Sequence, residues 1–120
     1  MTQHIPRGTN SNQPVTLINA FSVPVEESER FLEHWRESAQ IMSAQPGFIR
    51  CRMHEALFDD VELRFVNVAE WESGEALDAA RTVAQRQGAM QRLMGDPELH
   101  ATPHPADYRV VIDMNSRDSA

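Results

Sequence analysis

The 120-residue chain is expected to fold as one α+β domain, with two helices covering one face of a four-stranded antiparallel sheet. Three observations carry that expectation. Segments with the β-branched, period-two pattern of strands occur near both ends and as an adjacent pair in the middle. Two segments with apolar residues at helical spacing lie between them. Turn-forming Pro and Gly residues punctuate the joins.

In chain order, residues 1–13 are polar and rich in Asn, Gln, Gly and Thr, and read as a flexible arm. Residues 116–120 read as a flexible tail, and 14–115 as the single domain. VTLINAFSV (15–23) reads as a strand with Val15, Leu17, Asn19, Phe21 and Val23 on one face. Pro24 suits a first helical position, and Glu26 and Glu27 complement the positive end of a helix dipole. Phe31, Trp35, Ala39 and Met42 then recur at helical spacing, which predicts an amphipathic helix ended by Pro46-Gly47.

FIRCRMHEALF (48–58) and VELRFVNVAEW (61–71) read as a hairpin turning at Asp59-Asp60. A two-residue turn there places Arg52 across from Asn67, His54 across from Phe65 and Arg50 across from Ala69. A slip of one residue would undo the whole set. Ser73 is a suitable N-cap for a second helix whose buried stripe is Ala76, Leu77, Ala80, Val83 and Ala84. Gly88 interrupts that helix, and a shorter piece with Met90, Leu93 and Met94 stops at Gly95-Asp96-Pro97. HATPHPAD (100–107) reads as loop and YRVVIDM (108–114) as the last strand.

The order β-α-β-β-α-β is the ferredoxin-like arrangement. Helices on one side leave the other sheet face bare, and the predicted register puts Ile49, Cys51, Met53, Leu57, Val66 and Val68 there. Each large apolar side chain gains about 1.5–3 kcal/mol on burial, so the expected solution is a homodimer with two sheets face to face.

Composition narrows the function. A net charge of −7 argues against nucleic acid and anionic membranes as partners. All 11 basic residues are Arg, which removes lysine Schiff-base chemistry. A single cysteine, Cys51, makes no internal disulfide and suits a reducing compartment. No apolar run approaches membrane-spanning length and the start lacks a signal-peptide core, so the expected location is cytoplasmic. Cys51 reads as a small core residue, and His100 and His104 lack the further ligands of a metal site. No metal is expected.

The stretch FVNVAEWES (65–73) is the informative one. Strand interiors are depleted in Asn, so Asn67 is either a structural amide or faces something that needs a neutral hydrogen-bonding group. Asn67 and Trp71 are separated by about 13 Å along an extended strand, the scale of a small polycyclic ligand. The predicted inner face carries Arg50, Arg52, His54, Phe65, Asn67 and Trp71, more polarity than a plain core tolerates. A pocket walled by Phe31 and Trp35 of the first helix and by Phe65 fits that face. His54 is the inner-face group whose ordinary pKa suits a general base, and equally it is a partly exposed histidine paired with an acid. Trp71 packs either a core or a substrate ring, and Asn19 carries the same two readings.

With LINAF on the first strand and AQPGFIRCRMHEAL around the second, FVNVAEWES resembles the antibiotic biosynthesis monooxygenase family from about Val15 to about Met114. The resemblance implies a dimeric α/β barrel. It further implies an oxygenase that needs no metal, flavin or haem and oxidises a planar phenolic or anthrone-type substrate with O2. Asn67 and Trp71 match the positions that hold substrate and dioxygen in such enzymes; Asn19 and Arg52 would assist in binding, with His54 as base. The alternative is a non-catalytic small-molecule-binding barrel or a quinol-type oxidase. The haem-degrading branch of the superfamily places an iron-ligating His on its second helix, and residues 74–94 here contain no His.

Overall fold

A computed structural model describes residues 12–116. The predicted arm lies outside the described residues except for positions 12 and 13, and the tail except for position 116. The elements are β1 (Val15–Ser22), a 3-10 turn (Val25–Glu27), α1 (Ser28–Ser43), β2 (Phe48–Glu55), β3 (Leu63–Trp71), α2 (Gly74–Gln87), α3 (Ala89–Gly95) and β4 (Thr102–Tyr108). The sheet order is β2-β3-β1-β4 with antiparallel pairing throughout, so the α+β ferredoxin-like architecture is the one observed. No helix among the described residues is long and apolar enough to cross a membrane.

β1 and β3 form the centre because their alternation matches. Phe21 lies opposite Phe65, Asn19 opposite Asn67 and Leu17 opposite Ala69, all on the face under the helices. Phe31 of α1 lands on the first of these pairs, with ring centroids 4.8 Å from both Phe21 and Phe65. Val23, Leu93, Leu99 and Ala101 complete that core cluster. A second cluster gathers Ala69, Trp71, Leu77 and Ala80.

Two sequence expectations require correction. The β2–β3 connection runs from Ala56 to Glu62 and is not a two-residue turn at Asp59-Asp60. Arg64, only 3% exposed, closes the longer loop by donating from Nη2 to the Ala56 carbonyl. The register consequently moves by one: Met53 faces Asn67, Arg52 faces Val68 and His54 faces Val66. Cys51 and Met53 therefore turn toward the helices, and Arg50, Arg52 and His54 toward the opposite face. A bulge between Phe48 and Arg50 then returns Phe48 to the inner face opposite Trp71, leaving Ile49 52% exposed.

The second correction concerns the last strand. It is Thr102–Tyr108, the stretch expected to be loop, whereas the apolar run after Tyr108 lies outside the sheet and exposed. Proline suits an edge strand, and Pro103 and Pro105, two apart, remove donors from the same side of β4. Tyr108 already pairs with Thr16, one residue from the start of β1, so a strand at 109–114 would have no ladder to join.

The helix ends follow local chemistry. The Ser73 hydroxyl caps α2 by accepting the Ala76 N–H at 3.0 Å, and Gly88 ends it at φ 72°. Asp96 ties α3 to α1, accepting Arg30 Nε at 2.6 Å, the Glu98 N–H at 3.0 Å and His34 Nε2 at 2.9 Å. The Arg30 guanidinium first, then the Glu98 amide, hold the Asp96 carboxyl well below the ordinary carboxylate range. A depressed folded pKa contributes stability that is complete above the unfolded pKa and lost as the pH falls below it. Asp96→Asn should therefore lower the urea midpoint at neutral pH and flatten the acid limb of the stability–pH curve.

Gly47 sits between α1 and β2 at φ 85°, and its carbonyl accepts the Glu72 N–H at 2.8 Å. A Cβ there would stand 2.5 Å from the Ala76 Cβ. Gly47→Ala is expected to destabilise the fold by more than about 1–2 kcal/mol, the left-handed backbone strain alone, as measured by urea unfolding.

Candidate active site

The inner face of the sheet is a grid set by the strand registers. One row is Glu55, Phe65, Phe21 and Pro103; the next is Met53, Asn67, Asn19 and Pro105. The third is Cys51, Ala69, Leu17 and Asp107, and the fourth is Phe48, Trp71 and Val15. The first row is filled by Phe31 from above. Over the others the sheet and helices separate, leaving a cavity of about 340 Å³ that opens in part to the surface. Small side chains make this space: Ala69 and Cys51 in the floor, Ala39 of α1 and Ala84 of α2 in the roof. Trp35 and Met42 of α1 and Met90 of α3 supply apolar walls. Phe48 meets the Trp71 ring edge-on at 5.3 Å and 81°, fixing the indole at one end.

The polar groups at this cavity are unusual for their lack of partners. The Oδ1 atoms of Asn19 and Asn67 and the indole Nε1 of Trp71 are buried without a hydrogen bond among the described residues. Each such orphan costs about 1–3 kcal/mol, and folded proteins leave few of them. Here three border one hollow, from adjacent strands, with two of them on directly opposed residues. The arrangement sets two facing amides and, at the far end, an indole N–H beside one hollow.

Four residues singled out from the sequence meet at this cavity: Asn19, Trp35, Asn67 and Trp71. Phe31 and Phe65 lie in the neighbouring aromatic cluster. Arg52 and His54 do not reach the cavity, because the one-residue register change puts both on the other face of the sheet. There the His54 ring lies exposed with Nδ1 at 3.2 Å from the Val66 carbonyl. His100 pairs with Glu27 at 2.9 Å, and His104 lies on β4 opposite Ala20.

Of the lining residues that sequence pattern did not suggest, Ser38 and Gln85 add a hydroxyl and an amide, and Cys51 and Arg81 add a thiol and a charge. Cys51 was hidden by the register; burial pushes its thiol pKa up, which keeps it neutral near pH 7. Among the described residues, Arg81 is the only member of the lining that is charged at neutral pH, and no His, Asp or Glu lines the cavity. Arg81 stands one helical turn after Leu77, a spacing visible in the sequence. Its partner Asp107 belongs to the strand whose sequence resembles a loop.

If the Asn67 amide faces a guest and not the fold, replacing it should cost no structure. Asn67→Leu, of the same branched shape but without polar atoms, is expected to leave the urea midpoint unchanged or raise it. A loss exceeding about 1 kcal/mol, the net worth of a typical hydrogen bond, would instead mark the amide as structural.

Residues 14–92 match the family model described as antibiotic biosynthesis monooxygenase. Among solved structures, a proposed monooxygenase from Shewanella loihica PV-4 is 30% identical, with TM-score 0.68 over 84% of this chain and 97% of that one. SnoaB, a cofactor-independent oxygenase from Streptomyces nogalater, shares the fold at 22% identity and TM-score 0.69, over 87% and 99% of the two chains. A single-substitution mutant of MhuD, with two manganese protoporphyrin IX bound per active site, is 25% identical with TM-score 0.59, over 85% and 99%. No curated protein matches the sequence significantly.

Proposed function

This chain belongs to the antibiotic biosynthesis monooxygenase family, and on that premise we propose that it oxidises a planar phenolic or anthrone-type substrate with dioxygen, without a cofactor. The observation that carries the reading is the pair of facing amides, Asn19 and Asn67, with the indole N–H of Trp71, set around one largely apolar hollow and making no side-chain hydrogen bond among the described residues. SnoaB, of the same fold, is a cofactor-independent oxygenase.

The chemistry asks little of the protein beyond binding an anion in a dry site. The substrate loses a proton to solvent, and the resulting electron-rich anion passes one electron to O2. The two radicals combine into a C–O–O⁻ peroxide. Protonation of the peroxide, loss of the remaining proton on that carbon and cleavage of O–O then give a ketone and water. One oxygen atom of O2 ends in the product and the other in water. Asn19 and Asn67 would hold the substrate's hydroxyl and oxyanion edge through their amides, while Trp71 packs on the ring and donates from Nε1. The apolar roof keeps bulk water from the peroxide.

A lining without His, Asp or Glu among the described residues gives the substrate no side-chain base. His54 therefore drops out of the proposed machinery, and ionisation rests on the substrate's own acidity and its stabilisation inside the site. A haem reading fares poorly on the same lining, which offers iron no imidazole and only a thiol held neutral by burial.

Purified protein should consume O2 when given an anthrone or a 1,4-naphthalenediol. Asn67→Ala should cut kcat by about 10²-fold or more, the usual effect of losing one donor to a developing oxyanion. No uptake across a panel of such substrates would favour a binding barrel, and a sharpened Soret band on adding haemin would favour porphyrin. The rate should rise with pH until the substrate's own pKa is passed, and shift when a more acidic substrate is used. A plateau fixed near pH 6.5 for every substrate, about the ordinary imidazole value, would restore a histidine base.

We further propose that the working form is a homodimer. The sheet face away from the helices carries Ile18, Ala20, Val66, Val68 and Ala106 along its middle, bordered by Arg50, Arg52 and His54. Beside it the chain exposes Leu57, Phe58, Val110, Val111 and Ile112, each at least 68% accessible. Apolar surface on this scale is what a second copy would bury. Sedimentation at micromolar concentration should give twice the monomer mass.

A further inference from the structure

We propose that Arg81 is the substrate's carboxylate anchor, so that the preferred substrate is an aromatic acid; this rests on the pocket reading above. Among the described residues, Arg81 is the one charge on an otherwise neutral, largely apolar lining, on the side where α2 meets β4. Its guanidinium is held by two carboxylates. Nη1 and Nη2 form a paired contact to Asp107, and Nη1 also donates to Asp78 at 3.1 Å.

These bonds use the end of the guanidinium fork. The edge formed by Nε–H and the second Nη2–H makes no hydrogen bond among the described residues, and that edge matches the two oxygens of a carboxylate. Asp78 and Asp107 orient the plane while remaining 74% and 42% exposed, so water weakens their pull on the guanidinium without removing it. The guanidinium, itself 35% exposed, borders a largely apolar wall, where water screens a guest's negative charge less than at the open surface. Asp107 stands in the same inner row as Leu17 and Ala69. A ring lying over that row between the Asn pair and Trp71 would therefore present a substituent at its β4 end to Arg81. A surface ion pair serving only to pin α2 to β4 would need no place in the cavity wall.

The test compares 1,4-dihydroxy-2-naphthoic acid with its methyl ester, by calorimetry under anaerobic conditions, on the wild-type protein. The acid should bind about tenfold tighter or more, the scale of hydrogen bonds to a charged group. Arg81→Gln should abolish that preference while leaving ester affinity unchanged. Asp107→Asn, which removes a competing charge and keeps an acceptor, should widen the preference; a purely structural pair predicts no such gain. Equal binding of acid and ester by the wild type, or equal weakening of both in Arg81→Gln, would overturn the anchor and leave the pocket standing. Binding of neither compound would overturn the pocket reading and the anchor with it. Circular dichroism of both variants separates loss of fold from loss of preference. If Arg81→Gln unfolds, Asp107→Asn decides the matter, and an unchanged preference in that variant overturns the anchor.

Discussion

Phe21 and Phe65 face each other across the two central strands, and Phe31 lies against both rings at 4.8 Å. This contact sets everything beneath the helices. Aromatic pairs add about 0.5–1.5 kcal/mol each beyond their buried area, and the rings are the bulk of the core at that end. Because strand side chains alternate, placing this pair inside also places Asn19 with Asn67 and Leu17 with Ala69 inside, two and four residues along. A sheet anchored by its aromatic row has no freedom to hide the amides on the outer face without turning the phenylalanines out as well. The polar row is held in place by its apolar neighbour.

The cavity is a consequence of where bulk stops. Rings fill the first row, and at the far end Phe48 and Trp71 lock edge to face. Between them the floor falls to Ala69 and Cys51, and the helices present Ala39 and Ala84. Large residues at both ends act as spacers that hold α1 away from the sheet, so the middle cannot collapse. The bulge at Ile49 matters for the same reason. Without it Phe48 would point away from Trp71, and the indole would lose the contact that fixes its orientation.

Function then follows from what the walls lack. Among the described residues the lining has apolar surface, the amides of Asn19, Asn67 and Gln85, the Ser38 hydroxyl, the Cys51 thiol, an indole N–H and one guanidinium, with no carboxylate or imidazole. Such a lining supplies no side-chain base, which is why the proposed substrate is one that reacts with dioxygen once ionised by its own acidity. The three orphaned polar atoms are a stability cost that the fold carries, and retaining such a cost is common at sites that meet a ligand.

Local pattern determined a good deal of this from the sequence alone. The alternation of VTLINAFSV and LRFVNVAEW determined which residues of β1 and β3 face the helices, so Asn19, Asn67 and Trp71 were legible as candidates, as was Trp35 from helical spacing. Ser73 and Gly88 marked the limits of α2 by chemistry that needs no tertiary context. The placement of β2 did not follow, because a period of two turns any miscount of the loop into an inversion of faces. The loop's length depended on Arg64 reaching Ala56, a contact no local pattern encodes. That inversion carried Arg52 and His54 away from the cavity and brought Cys51 in. Tertiary structure likewise chose Thr102–Tyr108 as the edge strand over the more strand-like 109–114, since the antiparallel pairing runs out at the start of β1. With β4 in place, Asp107 met Arg81, and the one charge beside the cavity was set by two segments 26 residues apart.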